Sequence, residues 1–376
     1  MGNVGNLNGL TFCISLLENL RKHKIQSVIF LSRMLDKRCI RKIGIFRALQ
    51  LGDLMCSIPA IRAIRNEFPD AEIFLIGLPG AQSFIKRFPK YFNGLIKFPG
   101  YPGLPEQPYE VDEIPEFLRS MQKHKFDLII QMQGNGNIVN PLIETFGAKF
   151  TAGFHRPNDY IPEGGLFIEY PEGHEVERHL MLTTYLGITS QGKHLEFPLT
   201  DEDTLELENS GLMLEPDSYV CIHPGSRGSW RQWPVEHFAL IGDLCAAQGK
   251  TVVLTGTSDE IDRTEQTASL MQTEAVIATG KTSLGAIGRL IENAFAIVSN
   301  CTGVSHIASA LNTPGIIISM DGEPHRWGPL NKDILTTIDW LNYPQFDLAE
   351  NALHRLLQKA QDNQQVNYRI FGSQTG

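Results

Sequence analysis

No apolar run in the 376-residue chain reaches the roughly 18–20 residues of a membrane span. The first residues lack a charged stretch, apolar run and small-residue cleavage site in that order, so no secretory leader is expected. Asn6 occupies the position where an N-terminal acylation motif needs Ser or Thr. Cysteine is scarce. The six, at 13, 39, 56, 221, 245 and 301, form no C-x-x-C pair, which removes zinc-ribbon and dithiol-redox readings and fits a reducing cytosol. A G-x-G-x-x-G after the first strand, which a nicotinamide-dependent oxidoreductase would need, is missing. Gly280-Lys281-Thr282-Ser283 lacks the spacing of a P-loop, and no short repeat suggests a solenoid.

What is present is a globular balance, 42% hydrophobic and 20% charged, in a length that predicts two domains. The net charge of −9 is uneven: residues 1–42 hold eight Lys or Arg against Glu18 and Asp36, giving +6 there and −15 elsewhere. An acidic body argues against nucleic acid as a partner. The basic arm carries Leu10, Ile14, Leu17, Ile25, Val28, Ile29 and Leu35 at helical spacing. It reads as a helical extension that either meets an anionic membrane surface or packs on the body.

Beyond Arg41 the pattern alternates. Strands are predicted at 42–48, 72–78, 95–98, 127–132 and 148–154, with helices through Leu54–Phe68, near 81–88, and at 113–124, 138–146 and 175–186. Residues 99–110 and 156–173, rich in Pro and Gly, read as loops. After a linker at 188–200 the alternation restarts. Strands are expected at 219–223, 251–255, 275–279, 295–299, 315–319 and 333–338. Helices are expected at 202–210, 234–248, 258–271, 283–293, 303–311 and 346–361. Such alternation predicts an α/β protein of two Rossmann-like domains, 41–190 and 200–345, whose parallel sheets face a central cleft. The 1–40 extension and a 346–376 helix and tail flank them.

Three segments carry candidate chemistry. Arg47–Leu54 follows the first strand, Gly52 allows a tight turn, and Asp53 reads either as a helix cap or as a general base at the cleft mouth. His223–Pro234 follows a strand and precedes a helix. Gly225, Ser226, Gly228 and Ser229 supply donors, and Arg227 and Arg231 supply charge, a combination suited to a diphosphate; His223 itself reads as a hydrogen-bonded structural residue. In Ser299–His306, Thr302 and Gly303 fall where unsatisfied first-turn amides favour an anion, although Thr302 can equally be a cap. His306 lies off the apolar stripe and is expected to face the cleft. Arg326 and Trp327, in a turn-rich loop, read as closing the second domain.

In this order the segments resemble glycosyltransferase family 9, the bacterial heptosyltransferases, from about Lys42 to Pro329. The resemblance rests on Leu51-Gly52-Asp53 with Ile58–Ala63, His179-Leu180, His223-Pro224-Gly225 with Trp233-Pro234, Leu254-Thr255-Gly256, Gly280–Leu284, Thr302-Gly303 with His306, and Arg326–Pro329. It implies a GT-B fold and an inverting, metal-independent and cofactor-free transfer. The donor would be a nucleotide sugar, ADP-heptose by family default, and the acceptor a lipid-linked or oligosaccharide hydroxyl at the cytoplasmic face of the inner membrane. By the same resemblance Asp53 is the base, with Arg47 and Gly52 on the acceptor side. Ser226, Arg227, Arg231, Glu260, Cys301, Thr302, Gly303 and His306 face the donor. Two positions depart from the family: Arg231 replaces a common Lys, and Cys301 replaces the usual Asp. The second departure admits a rival reading, a non-catalytic or altered-specificity nucleotide-sugar-binding protein.

Overall fold

A computed structural model describes residues 37–358. The expected N-terminal arm, except for its last residues, and the end of the C-terminal tail lie outside them. The first half contains β1 (Lys42–Phe46), β2 (Glu72–Gly77), β3 (Gly94–Lys97), β4 (Leu128–Gln131), β5 (Phe150–His155) and β6 (Leu166–Glu169). The second contains β7 (Tyr219–His223), β8 (Thr251–Leu254), β9 (Ala275–Ile277), β10 (Ala296–Asn300), β11 (Gly315–Ser319) and β12 (Leu335–Asp339). The central strands are continuous apolar runs buried along their length, as in Tyr-Val-Cys-Ile-His of β7 and Gly-Ile-Ile-Ile-Ser of β11. Strands covered on both faces by helices need such runs, and all pairings here are parallel.

Both sheets have the same topology. The orders are β3-β2-β1-β4-β5-β6 and β12-β11-β10-β7-β8-β9, so each half starts in the middle of its sheet and winds outward both ways. The winding direction reverses between β1 and β4 and between β7 and β10. Loops leave those strand ends in opposite directions and open a crevice at the carboxyl edge. The expected GT-B arrangement of two Rossmann-like halves is thus the one observed.

One apolar cluster runs through both halves. It joins Ile58, Ile61 and Leu75 of the first to Leu290, Val304 and Ile307 of the second. Separate clusters cover the outer faces, around Phe46, Phe98 and Phe146 on one sheet and around Trp233, Phe238 and Leu353 on the other. Among the described residues no helix is long and apolar enough to cross a membrane.

Two expectations need correction. Residues 166–169, read as loop, form β6, a four-residue edge strand too short to show a period within a Gly-rich stretch. The 258–271 helix is a short 3-10 turn, Ser258–Glu260, followed by an α-helix at Ile261–Leu270.

Candidate active site

The first reversal point is built around Arg47, which follows β1 and is fully buried. Its Nε donates to the Asp53 carbonyl at 2.7 Å, and one Nη donates to the Met132 carbonyl and lies 3.0 Å from His179 Nε2. The other Nη faces Glu175 at 3.4 Å and the Asp53 carboxylate at 3.7 Å. Arg47 therefore orients Asp53 from beneath. Its placement on the acceptor side fails in one respect: a side chain with no exposed surface cannot touch an acceptor.

Glu175 collects the cations of this region. Arg178 approaches at 3.1 Å and Arg326, from the second half, at 3.3 Å. Burial alone pushes its carboxyl up, but His179 once protonated, together with Arg47, Arg326 and the Arg178 hydrogen bond, outweighs that and holds it at about 2. Arg326 thus ties the two halves together rather than merely closing its own. The His174 ring lies 2.8 Å from the Gly328 carbonyl and forms a second tie. Burial, with Arg47 beside it, drives His179 down to about 3, so its ring is neutral and accepts from the guanidinium.

Asp53 is not a cap. The helix Leu51–Glu67 is entered at Gln50, and Asp53 sits in the first turn without a capping bond. It is half-buried, and burial raises its pKa above the usual Asp range. Arg47 opposes that rise, Glu175 and Glu106 add to it, and Arg231 of the second half opposes it. A half-buried carboxylate with raised basicity at a cleft suits proton abstraction.

The second reversal point is a scaffolded loop. Asn300, at the end of β10, donates to the carbonyls of Pro224 and Gly225 at 2.9 and 3.0 Å and accepts from the Trp233 amide at 2.9 Å. Arg263 donates to the Pro224 carbonyl at 2.6 Å and also to that of Trp233. The Trp233 indole is fully buried, edge-on to Phe238 with centroids 5.0 Å apart, and pins the far end of the loop. His223 behaves as the structural residue expected. It is buried, its Nδ1 is 3.0 Å from Thr255 Oγ1, and burial lowers its pKa. Glu260 lies beneath Gly225, accepting from the Thr257 amide at 2.8 Å, and a Cβ on Gly225 would collide with its carboxylate. An alanine there would have to push the Glu260 carboxylate aside.

The donor-side candidates divide. Ser226 is buried in the loop, and Arg231 is half-exposed with its Nε 3.4 Å from Asp321. Thr302 occupies the N-cap position of the Gly303–Leu311 helix but makes no cap bond, and its Oγ1 is buried without a partner among the described residues. Cys301 is buried, and burial together with Asp321 lifts its thiol to about 12, so it is neutral. Arg227 is not brought to the cluster. It reaches across to the first half, pairing with Glu106 at 3.0 Å. His306 lies at the seam between the halves, where it lines a cavity with His174 and Phe197. Its ring is buried 3.8 Å from Cys56 Sγ, and burial, with His174 adding to it, lowers its pKa to about 4.

The two reversal points meet. A Cβ on Gly52 would lie 3.5 Å from Gly303 Cα, and one on Gly303 would lie 3.1 Å from the Leu51 side chain. The first turns of the Leu51–Glu67 and Gly303–Leu311 helices are therefore in contact, and both present positive dipole ends.

Comparison with known proteins identifies the family. The model of glycosyltransferase family 9 (heptosyltransferase) matches residues 114–352. The chain belongs to glycosyltransferase family 9. As a family 9 member it is a glycosyltransferase. Lipopolysaccharide heptosyltransferase 3 of Escherichia coli is 25% identical over 301 residues, covering 76% of this chain and 85% of that protein. The fold is shared with a family 9 glycosyl transferase from Veillonella parvula, with a TM-score of 0.70 at 19% identity over 86% of this chain and 98% of that one. It is also shared with the E. coli ADP-heptose lps heptosyltransferase II, with a TM-score of 0.69 at 18% identity over 86% and 100%.

Asn300, Glu175 and Arg263 escaped the reading of the sequence. Glu175 alone left a signal: it lies one helical turn before His179, on the same face.

Proposed function

We propose that this glycosyltransferase moves a heptose from ADP-heptose to a hydroxyl of a lipopolysaccharide-type saccharide, with inversion and without a metal. The observation that carries the proposal is the contact between Gly52-Asp53 and Thr302-Gly303, which brings a half-buried carboxylate of raised basicity beside an anion-favouring helix start. The donor identity follows the names of the relatives, among them an ADP-heptose lps heptosyltransferase.

In this mechanism Asp53 takes the proton of the acceptor hydroxyl. The acceptor oxygen attacks the anomeric carbon from the face opposite the diphosphate, and the carbon–oxygen bond to the diphosphate breaks. The charge left on the diphosphate is met by Arg231, Ser226 and the Thr302-Gly303 amides, the preorganised electrostatic role such donors play. A lipid-linked acceptor sets the reaction at the cytoplasmic face of the inner membrane, where the basic stretch before Lys42 complements anionic lipid.

A thermal-shift panel of nucleotide sugars, followed by mass spectrometry of a core oligosaccharide incubated with ADP-heptose, tests this. ADP-heptose is expected to raise the melting temperature by mass action and to add one heptose to the acceptor. Stabilisation by a UDP-hexose with no response to ADP-heptose would reject the donor assignment.

A further inference from the structure

We propose that Asp321 is the positioning residue for Arg231, holding its guanidinium toward the donor from the loop that follows β11. The inference rests on the diphosphate role proposed above for Arg231.

The Asp321 carboxylate is fixed at one end and directed at the other. Its Oδ1 accepts from the Ser319 hydroxyl at 2.9 Å and from the Glu323 amide at 3.2 Å. Gly322, at φ +70°, makes the turn that brings the Glu323 amide back. Those two bonds leave Oδ2 pointing at Arg231 Nε, 3.4 Å away, with the Asp321 side chain only 11% exposed. Arg231 Nε is buried and has no hydrogen bond among the described residues, so Asp321 supplies the charge on that edge. A guanidinium held at Nε still presents two Nη groups in a plane, the fork that grips a diphosphate.

The neighbouring side chain explains why the loop after β11 supplies this charge. Position 301 ends in a buried thiol that feels the charges of Asp321 and Arg231, and burial keeps it protonated. It fills space without offering a charge. A free carboxylate this close to a diphosphate would repel it. Asp321 avoids this because Oδ1 is already bonded and Oδ2 is matched by the guanidinium. The cluster offers the ligand an oriented fork rather than an exposed negative group.

The test is a double-mutant cycle read by calorimetric titration with ADP. Asp321→Asn keeps an oxygen for Ser319 and Glu323, so the fold and melting temperature are expected to hold. Arg231→Gln is expected to weaken ADP by more than tenfold, and Asp321→Asn by about tenfold. The double variant is expected to bind no more weakly than Arg231→Gln alone, because a residue acting through Arg231 has nothing left to position. ADP affinity at or above wild type in Asp321→Asn, or additive losses in the double variant, would overturn the inference while leaving the diphosphate role intact. An unchanged dissociation constant in Arg231→Gln would overturn that role, and this inference with it.

Discussion

At the carboxyl end of β1 the ionisable groups are buried and bonded to one another. At the carboxyl end of β7, His223, Arg231, Glu260, Arg263 and Asp321 are interleaved with glycines, amides and hydroxyls. Arg47, Glu175, Arg178, His179 and Arg326 form a linked set in which each charge meets a counter-charge or a carbonyl, although His179 Nδ1 is itself buried without a hydrogen bond among the described residues. Across the seam, Thr302 Oγ1 and Arg231 Nε are buried without hydrogen bonds among the described residues. The same sheet topology thus serves two ends. A charge-paired network is rigid and holds one carboxylate in one place, as the proposed base requires. An unsaturated set of donors is complementary to an anion that arrives from outside.

Three substitutions probe that division, in order of expected effect. Asp53→Asn should lower turnover by about 10²–10⁴-fold, the usual share of a general base, with the donor dissociation constant unchanged. The wild-type rate profile should agree. The base works deprotonated and burial raises its pKa, so activity should fall on acidification at a higher pH than an exposed Asp would give. Near-normal turnover in the variant would remove the base from the first half and end the contrast. Arg47→Met should cost about 3–5 kcal/mol in urea unfolding, because Glu175 and Asp53 lose a buried partner. A loss below about 1 kcal/mol would mean that the network does not hold this half together. Gly225→Ala should keep the unfolding midpoint while weakening the donor by about tenfold, since the new Cβ displaces Glu260, the flexible end of a side chain, rather than backbone. A fall in stability instead would show that the second half, too, is built on a charge-paired core.

Much of the fold was legible before any coordinates, for a simple reason. Strands buried on both faces are unbroken apolar runs, and crossover helices repeat every three to four residues, so both patterns are local. The helix at Gly303–Leu311 and the strands at Tyr219–His223 and Gly315–Ser319 fall where periodicity predicts them. The site was legible only in part. The loop from His223 to Pro234 announces its glycines and arginines, but not Asn300 and Arg263, which anchor it from 76 and 39 residues away. Arg47 reads as an acceptor-side residue at a strand end. Its burial follows from Met132 and Glu175, 85 and 128 residues along the chain, and no window of sequence contains them. Arg227 and His306 show the same limit: type and local spacing suited the cleft, but not their partners in the other half, Glu106 and Cys56.

The junction at Gly52 has a mechanical consequence. A Cβ there would lie 3.0 Å from the His306 ring and 3.5 Å from Gly303 Cα, so the joint between the proposed base and the proposed anion seat has a clearance of less than one methyl group. The two halves are keyed at this point like a dovetail, and position 52 works as the gauge that sets how deeply they engage.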